Sequence, residues 1–294
     1  MTPALRARLN PNLRLEDIAG RDVLLVGEQG VGDVIMFASA IPDLLAVAGR
    51  VALNCDPRLR RLFGNAFPGL ELLDVRATER RAPEFPVVMG VGSLGRHFRN
   101  RLEDFPGSAY LSPRADTVAQ WAQRLGPAEG RRRIGISWRG GLAHTGRTAR
   151  SMELAALRPV LELPGCEFVS LQYGDVADEV AAAGVDSPSP IRCFPKADID
   201  DFDDLAGLVK NLDLVVSVQT SLVHLTGALG APGLVMVPAT PEWRYGASGS
   251  SMPWYGSIRL FRQDEGGEWA PVVQQVAAEA AVRLGLGQGP STFT

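Results

Sequence analysis

The segment from Asn211 to Pro238 reads NLDLVVSVQTSLVHLTGALGAPGLVMVP, and it decides the class of fold. Its apolar run from Leu212 to Val218 predicts a strand that is buried on both faces, as strands of parallel sheets are. A polar turn and a short helix pattern from Leu222 to Leu229 follow, and a Gly and a Pro end that helix before the next strand, Leu234 to Val237. Strand, turn, helix and strand in this order predict half of a doubly wound sheet.

The polar turn of this segment is a candidate anion site. It lies at the carboxyl end of a strand and the amino end of a helix, where free N–H groups and the helix dipole favour negative charge. Thr220 and Ser221 add hydroxyl donors, and His224 follows one turn later. The same residues also fit a purely structural interpretation, in which Thr220 caps the helix and His224 is a half-buried, hydrogen-bonded side chain. Both interpretations stay open at this point.

Strand and helix patterns alternate over most of the remaining chain, which predicts an α/β protein with parallel, helix-covered sheets. The other predicted strands are 22–27, 51–55, 70–75, 86–89, 134–138, 167–171 and 258–261. The other predicted helices are 34–48, 57–65, 117–125, 153–163, 175–183, 201–211 and 270–284. A polar stretch with Gly and Pro follows residue 125, so we predict an amino-terminal arm at 1–20, a first domain at 21–126, a second domain at 127–284 and a tail at 285–294. The two Rossmann-like domains are expected to face each other across a cleft.

Composition limits the classes of protein that the chain can belong to. Its 294 residues suggest two domains, and a net charge of −3 does not favour nucleic-acid binding. The three cysteines are widely spaced and contain no CxxC pair, which argues against a zinc site or a disulfide framework. No apolar run is long enough to span a membrane and no signal peptide is evident, so we predict a cytoplasmic protein.

A glycine turn, EQGVGD at 28–33, follows the first predicted strand. Gly30 and Gly32 open the next helix, and Asp56 ends the second strand about 24 residues after Gly32, near the ~20 of a dinucleotide site. However, the spacing is not G-x-G-x-x-G, and the carboxylate of Asp33 would repel a pyrophosphate. Asp33 is instead placed as a base at the cleft, with a helix-capping role as the alternative.

Two further motifs have a structural and a functional interpretation each. Gly90, Gly92 and Gly95 form a literal G-x-G-x-x-G, but Arg96 to Asp104 lacks a helix pattern, so a loop is expected. The acidic run from Asp198 to Asp204 resembles a metal-binding DxD motif, yet carboxylates are expected at the start of a helix in any case. We therefore predict no metal site.

Two loops contain candidate ligand-binding side chains. Arg139, His144, Arg147 and Arg150 lie in a glycine-rich loop after the first strand of the second domain, and their guanidinium groups suit phosphate oxygens. A solvated basic loop is the alternative. The segment EWRY at 242–245, with PWY at 253–255, suits stacking on a base or sugar, or ordinary packing.

Five segments in this order resemble a known family. They are EQGVGDVIMFASAIPDL, GISWRGGLAHTGRTARSMEL, FVSLQYG, DDFDDLAGLVKNLDLVVSVQTSLVHLTGALGAP and PWYGSIRLFRQ. They resemble the glycosyltransferase domain that is often fused to tetratricopeptide repeats in bacteria, which is related to the heptosyltransferases of glycosyltransferase family 9 and distantly to protein O-GlcNAc transferase. The resemblance covers about residues 22–284. It implies a GT-B fold, a nucleotide-sugar donor in the second domain, no metal or cofactor, and a last helix that packs back across the interdomain region.

The resemblance also implies roles for individual residues. Asp33 matches the acidic residue proposed as the general base, and the acceptor-side loop around it contains Gln29, Gly30 and Gly32. The residues expected to contact the donor are Trp138, Arg147, Arg150, Gln219, Thr220, Ser221, His224 and Arg244. Relatives usually have SVDTxxAH, whereas this chain has Gln219 in place of the aspartate and Val223 in place of the alanine.

The expected activity is metal-independent transfer of a sugar from a nucleotide-sugar donor to a hydroxyl acceptor on a protein, lipid or saccharide. Two alternatives remain: a catalytically inactive nucleotide-sugar-binding or scaffold module, which Gln219 favours, and a nicotinamide-dependent oxidoreductase. The tetratricopeptide repeats of the relatives are absent from the sequence, so a partner with such repeats is expected to recognise the acceptor.

Overall fold

Two parallel sheets organise the computed structural model, which describes residues 3–10, 12–141, 146–182 and 190–286. The first sheet consists of β1 (Val23–Val26), β2 (Val51–Asn54), β3 (Leu70–Leu73) and β4 (Val87–Gly90), in the order β3-β2-β1-β4. The second consists of β5 (Arg132–Ser137), β6 (Cys166–Ser170), β7 (Ile191–Arg192), β8 (Leu214–Val218), β9 (Gly233–Val237) and β10 (Ile258–Arg262), in the order β10-β9-β8-β5-β6-β7. The predicted α/β architecture with two Rossmann-like sheets is confirmed.

The strand register brings the functional loops to one edge of each sheet. In the first sheet Val23 pairs with Val51 and with Val87, so β1, β2 and β4 end side by side. In the second sheet Ser137 pairs with Ser217, and Val218 pairs with Met236. The loops that follow β5, β8 and β9 therefore begin next to one another, as the carboxyl ends of parallel strands do.

The helices of the first half cover both faces of its sheet or connect it to the second half. They are α1 (Pro3–Arg8), α2 (Val31–Phe37), α3 (Ile41–Val47), α4 (Arg60–Ala66), α5 (Val75–Arg81), α6 (Leu94–Phe98) and α7 (Ala115–Leu125). The helix predicted at 34–48 is divided by a 3-10 turn, Ala38–Ala40, with Pro42 directly after it at the start of α3. The prediction that 96–104 contains no helix was wrong, because α6 follows the glycine turn at 90–92.

The helices of the second half are α8 (Arg158–Leu161), α9 (Ala177–Ala182), α10 (Lys196–Ile199), α11 (Phe202–Val209), α12 (Ser221–Ala228) and α13 (Ala270–Leu284). The helix predicted at 153–163 begins as a 3-10 helix, Leu154–Leu157, and only its last turn is α-helical. Strand β7 was not predicted, since two half-buried residues give no pattern.

The amino-terminal arm is part of the first domain and not a detached segment. Leu5 is buried against the first sheet, and the guanidinium of Arg8 donates to the carbonyl oxygens of Ala82 and Phe85, the latter at 2.6 Å. Helix α7, the last element before the predicted boundary at 126–127, packs on α11 of the second half, where Trp121 meets Phe194 edge to face at 4.8 Å. Helix α7 thus connects the two halves.

Apolar residues join the two domains into one core. Helix α2 packs on α12, and α4 packs on α11. Val34 and Ile35 of α2 belong to the same buried cluster as Leu222 and Leu225 of α12. The cleft is therefore closed along one side by the contact between these helices.

The last helix is docked, but on its own domain. Its buried residues belong to the core of the second sheet together with Ile134, Val216 and Met236; they are Val272, Val273, Val276, Ala277, Ala280 and Leu284. This corrects the prediction that the helix packs across the interdomain region. Within the described ranges, no helix is both long and apolar enough to span a bilayer.

Candidate functional site

The amino end of α12 lies at the centre of the site. Strand β8 is buried along its whole length, and the chain leaves it at Gln219 and turns into the helix. Thr220 is extended, and its hydroxyl oxygen accepts the N–H of Leu222 at 3.3 Å. The capping role that the sequence allowed for Thr220 is therefore present, and Ser221 occupies the first position of the helix. The first turn of α12 points its remaining N–H groups out of the helix end, where an anion can accept them.

The amino end of α2 lies against the amino end of α12. Gly30 precedes α2, and Asp33 lies in its first turn. A Cβ at Gly32 would lie 3.0 Å from Cδ2 of His224 and 3.3 Å from Cα of Ser221, so the missing side chain allows the two helix ends to meet. The structure thus brings together Gly32, Asp33, Ser221 and His224, four residues that the sequence assigned to the site.

Arg244, in the loop between β9 and β10, forms an ion pair with Asp33 of α2. Its Nη2 lies 2.6 Å from Oδ1 of Asp33, and the two side chains are only 15% and 16% exposed. Its Nη1 lies 3.8 Å from Glu242, and its guanidinium lies 5.7 Å from the ring of Trp243. The residue predicted to contact the donor therefore forms an ion pair with the predicted base, across the domain boundary.

His224 is almost completely buried, with 3% of its surface exposed. Its Nδ1 lies 3.1 Å from the hydroxyl of Tyr255, and the ring lies near that of Tyr245, with centroids 6.0 Å apart. Burial, and then the positive charge of Arg244, lower the pKa of His224 from 6.5 to about 3. The imidazole is therefore neutral at physiological pH, so it can act on a phosphate as a hydrogen-bond donor but not as a cation.

A cavity of about 260 Å³ lies beside the amino end of α12. Gln219, Arg150 and Trp243 line it, together with Pro238 and Thr240 from the loop after β9. Nη1 of Arg150 donates to the main-chain oxygen of Gln219 at 3.1 Å. The side-chain Nε2 of Gln219 is buried and has no hydrogen-bond partner among the residues that the structure describes. A buried amide N–H₂ without an acceptor is costly, so the cavity favours a ligand that offers an acceptor oxygen to it.

Two of the predicted donor-binding residues have different surroundings from those expected. The side chain of Arg147 is exposed at the rim, and its carbonyl oxygen accepts the hydroxyl of Ser151 at 2.5 Å. Trp138 is completely buried, and its indole N–H donates to Glu179 at 2.7 Å. This corrects the prediction that Trp138 contacts a donor directly, because a side chain without exposed surface can only support the loop. His144 lies outside the described residues.

Gln172 shapes the basic loop, and the sequence did not identify it. Its Oε1 accepts the N–H groups of Trp138 at 3.0 Å and Arg139 at 2.8 Å, and the hydroxyl of Ser137 at 3.1 Å. Its Nε2 donates back to the carbonyl of Arg139 at 3.3 Å. The sequence could have identified Gln172 by its position after β6, because that position lies at the same sheet edge as the loop after β5.

The loop that was predicted to lie on the acceptor side is held by Glu28, a second residue that sequence reasoning missed. Its carboxylate accepts the N–H groups of Val91 at 2.9 Å and Gly92 at 3.2 Å, so the two glycine turns of the first domain are fastened together. A Cβ at Gly92 would lie 2.6 Å from Nε2 of Gln29. The glycines at 90–92 therefore provide space for these side chains.

Two observations bear on the dinucleotide alternative. Asp33 occupies the first turn of α2, where a pyrophosphate would bind, and it is paired with Arg244. Asp56 caps the turn that follows β2 and forms a 2.8 Å ion pair with Arg58, and this hydrogen-bonded pair lowers the pKa of Asp56. A dinucleotide site needs a first helical turn that is free for the pyrophosphate and a carboxylate that is free to bind the ribose, and these two residues provide neither.

The acidic run at 198–204 forms ion pairs with arginines. Asp198 pairs with Arg124 at 2.6 Å, and Asp204 pairs with Arg61 of the first domain at 2.7 Å. Asp203 is fully buried and accepts the hydroxyl of Thr117 at 2.8 Å. In the part of the chain that the structure describes, no group of three or more His, Cys, Asp or Glu residues is arranged to hold a metal ion.

Comparison with models of known protein families gave no match. Among curated proteins, the chain is 32% identical over 285 residues to Protein FlbA of Caulobacter vibrioides, which covers 89% of this chain and 46% of FlbA. The chain thus spans about half the length of that relative.

Solved structures provide the clearest likeness. ADP-heptose LPS heptosyltransferase II of E. coli matches 91% of this chain and 100% of its own, with a TM-score of 0.64 and 16% identity. A glycosyltransferase of family 9 from Veillonella parvula matches 94% of this chain and 99% of its own, with a TM-score of 0.65 and 13% identity. The iron-containing glycosyltransferase TibC of enterotoxigenic E. coli matches 86% of this chain and 64% of its own, with a TM-score of 0.53 and 12% identity. The chain therefore has the GT-B fold of these glycosyltransferases.

Proposed function

We propose that the chain is a glycosyltransferase that moves a sugar from a nucleotide-sugar donor to a hydroxyl acceptor. The observation that carries this proposal is the meeting of Asp33 with the amino end of α12 and with Arg244, because it combines a base and an anion site between two Rossmann-like domains. The GT-B fold of the neighbours, one of which is named for ADP-heptose, supports the same class of reaction.

The proposed reaction assigns one task to each side of the cleft. Asp33 removes the proton of the acceptor hydroxyl as its oxygen forms a bond to the anomeric carbon of the donor sugar. The bond between that carbon and the diphosphate oxygen breaks, and the nucleoside diphosphate leaves with the negative charge. The N–H groups of α12, the neutral imidazole of His224 and the guanidinium groups of Arg150 and Arg244 stabilise the leaving group.

The ion pair between Asp33 and Arg244 adds a condition. The guanidinium of Arg244 has five N–H donors, and its 2.6 Å contact with Asp33 uses Nη2. Arg244 can therefore bind a phosphate oxygen through its other nitrogens, and we infer that the negative charge of a bound diphosphate competes with Asp33 for Arg244 and so frees the carboxylate for the acceptor hydroxyl. A donor-dependent base of this kind also limits reaction with water before the donor is in place.

A panel of ligands tests the binding part of the proposal. Melting temperature is measured with ADP, UDP and GDP, with the corresponding nucleotide sugars, and with NADH as the probe for the oxidoreductase alternative. A ligand that binds only the folded protein raises the melting temperature with its concentration. Stabilisation by a nucleotide diphosphate supports the proposal. Stabilisation by NADH alone contradicts it.

Replacement of Asp33 tests the chemistry. Asp33→Asn removes the base and keeps the size of the side chain, so turnover is expected to fall by ~10²–10⁴. Nucleotide affinity, measured by calorimetry, should stay the same or rise because Arg244 loses its charged partner. Asp43→Asn is the matched control, since Asp43 lies on α3, pairs with Arg99 and has no contact with Asp33. Full turnover of Asp33→Asn would remove Asp33 from the mechanism.

The inactive-module alternative rests on Gln219, whose amide replaces the aspartate of relatives and cannot accept from sugar hydroxyls as a charged group. Nucleotide-sugar binding without transfer or donor hydrolysis would favour this alternative. We further propose that transfer needs no metal, and that activity therefore survives chelation by EDTA. Loss of activity with EDTA and recovery with Mg²⁺, Mn²⁺ or Fe²⁺ would contradict that part. The acceptor, a cytoplasmic location and a repeat-containing partner stay predictions of the sequence.

A further inference from the structure

A buried set of hydrogen-bonding side chains lies behind the anion site. Nδ1 of His224 lies 3.1 Å from the hydroxyl oxygen of Tyr255. The hydroxyl oxygens of Tyr255 and Tyr110 are 3.5 Å apart, and the hydroxyl of Tyr110 lies 2.7 Å from the carbonyl oxygen of Ile35. Tyr255 is completely buried, and its ring packs under α12 so closely that a Cβ at Gly227 would lie 2.2 Å from it. The set joins α12 to α2 through the loop before β10.

The carbonyl of Ile35 determines the direction of the first bond. A carbonyl oxygen only accepts, so the single hydroxyl proton of Tyr110 is used in donating to Ile35. Between the two tyrosines only Tyr255 has a proton left to donate, and 3.5 Å exceeds the usual range of an O–H···O bond. Nδ1 of His224, at 3.1 Å, is the nearer acceptor for the hydroxyl of Tyr255. A phenol is also the stronger acid of the pair, and an imidazole nitrogen the stronger base.

A hydrogen bond accepted by Nδ1 fixes the position of the imidazole proton. A neutral imidazole carries one N–H, so an accepting Nδ1 requires that Nε2 is protonated. Nε2 is bonded to Cδ2, the atom that faces Gly32 at the amino end of α2. The N–H therefore lies on the side of the ring where the two helix ends meet.

We propose that Tyr255 is a positioning residue, which holds His224 as the tautomer with its proton on Nε2 and so makes it a permanent hydrogen-bond donor to the anionic group bound between α2 and α12. The pKa of His224 near 3 keeps the ring neutral, and the groups that face it are the cation Arg244 and the neutral phenols of Tyr245 and Tyr255. The tautomer follows from the geometry alone. Only its effect on ligand binding rests on the proposed function.

Nitrogen NMR measures the tautomer directly. The chain has three histidines, His97, His144 and His224, so selective ¹⁵N-histidine labelling gives a simple spectrum. The signal that is missing from the spectrum of His224→Gln is assigned to His224. We expect His224 to show the Nε2–H pattern with no change between pH 5 and pH 8. In Tyr255→Phe the pattern should shift towards a mixture of tautomers. Affinity for ADP should fall about threefold to tenfold, the usual effect of losing one hydrogen bond.

Tyr110→Phe is the matched control, because it removes one buried hydroxyl from the same set but leaves the bond between Tyr255 and His224. It should keep the Nε2–H tautomer. A protonated Nδ1 in the wild-type protein, or an unchanged spectrum in Tyr255→Phe, would overturn the inference. If the wild-type protein binds none of ADP, UDP and GDP, the proposed function fails, whereas the spectrum still decides the role of Tyr255.

Discussion

At the scale of single residues, His224 shows how much the protein environment changes an ordinary side chain. The sequence placed it one turn into a helix and left two roles open, a phosphate contact and a buried structural residue. The structure combines features of both, because the ring is 3% exposed and hydrogen-bonded, yet one edge faces the end of α2. A neutral, buried imidazole has a consequence for stability that can be measured.

We expect His224 to destabilise the fold as the pH falls below 6.5. The imidazole of the unfolded chain has a pKa near 6.5, whereas that of the folded protein is about 3, so between these values only the unfolded chain takes up the proton. The contribution of the neutral imidazole to the free energy of unfolding is present in full above pH 6.5 and is lost as the pH falls towards 3. From pH 7.5 to pH 5 the loss should be about 2 kcal/mol.

Urea unfolding at both pH values measures this loss. His224→Gln cannot take up a proton, so its free energy of unfolding should depend less on pH by about the same 2 kcal/mol, which isolates His224 from other titrating groups. Equal pH dependence of the two proteins would show that His224 is not buried as the structure has it.

The ion pair between Asp33 and Arg244 could not be predicted from the sequence, although each of its residues was identified as a candidate. Asp33 was identified because a glycine turn and a first helical turn are local features of the sequence. Arg244 lies 211 positions later, and its partner depends on how two domains meet. Gln172 and Glu28 were missed for a related reason, since both bind main-chain groups of distant loops and such contacts leave no local pattern.

At the scale of elements, strands were predicted better than helices. A parallel strand is buried on both faces, so β1 and β8 appear as apolar runs that have no competing interpretation. Helix boundaries failed where a 3-10 turn intervenes, as at 38–40 and 154–157, because such turns share the same apolar spacing. The acidic run was correctly assigned to a helix start, but its arginine partners on other elements were not foreseen.

The acidic residues at the start of α11 are expected to contribute unequally to stability. Asp203 is fully buried and accepts from Thr117, from the N–H of Arg114 at 3.0 Å and from Arg61 at 3.2 Å. Asp203→Ala leaves the hydroxyl of Thr117 and the N–H of Arg114 without an acceptor, whereas Arg61 keeps its pair with Asp204, so the free energy of unfolding should fall by about 2–4 kcal/mol. Asp198→Ala breaks only a partly exposed pair with Arg124 and should cost at most ~1 kcal/mol. Chemical denaturation of both variants compares them, and equal losses would contradict the structure.

Helix α13 is expected to be indispensable for folding. Truncation after Gly266 removes six buried apolar residues from the core of the second sheet, and the product should be insoluble or should melt at a much lower temperature. Point variants give a gentler comparison. Val276→Ala, at a fully buried position, should lower the free energy of unfolding by about 1–3 kcal/mol. Val282→Ala, at a position that is 77% exposed, should leave it unchanged. A truncated protein with an unaltered melting temperature would refute this role.

At the scale of the whole molecule, the sequence predicted two Rossmann-like domains that face each other, but not the contacts that join them. Alternating strands and helices determine the layers of each sheet through local patterns. The contact between α2 and α12 depends on the fit of particular atoms, such as the space that Gly32 leaves for His224. The same kind of fit placed α13 on its own sheet, where the resemblance had implied a crossing of the domain boundary.

Because one apolar core runs without a break from α2 into α12, neither half of the molecule is thermodynamically independent. Separating the sheets would expose Val34, Ile35, Leu222 and Leu225 to water, which is unfavourable by roughly 1.5–3 kcal/mol for each fully buried side chain. Scanning calorimetry should therefore record a single endotherm whose van't Hoff and calorimetric enthalpies agree, despite the two-sheet architecture. Two resolved endotherms would mean that the halves melt separately. A protein that melts as one unit tolerates the replacement of its surface loops. A chimaera in which one half comes from a relative should fold only if both faces of the α2–α12 contact are taken from that relative together.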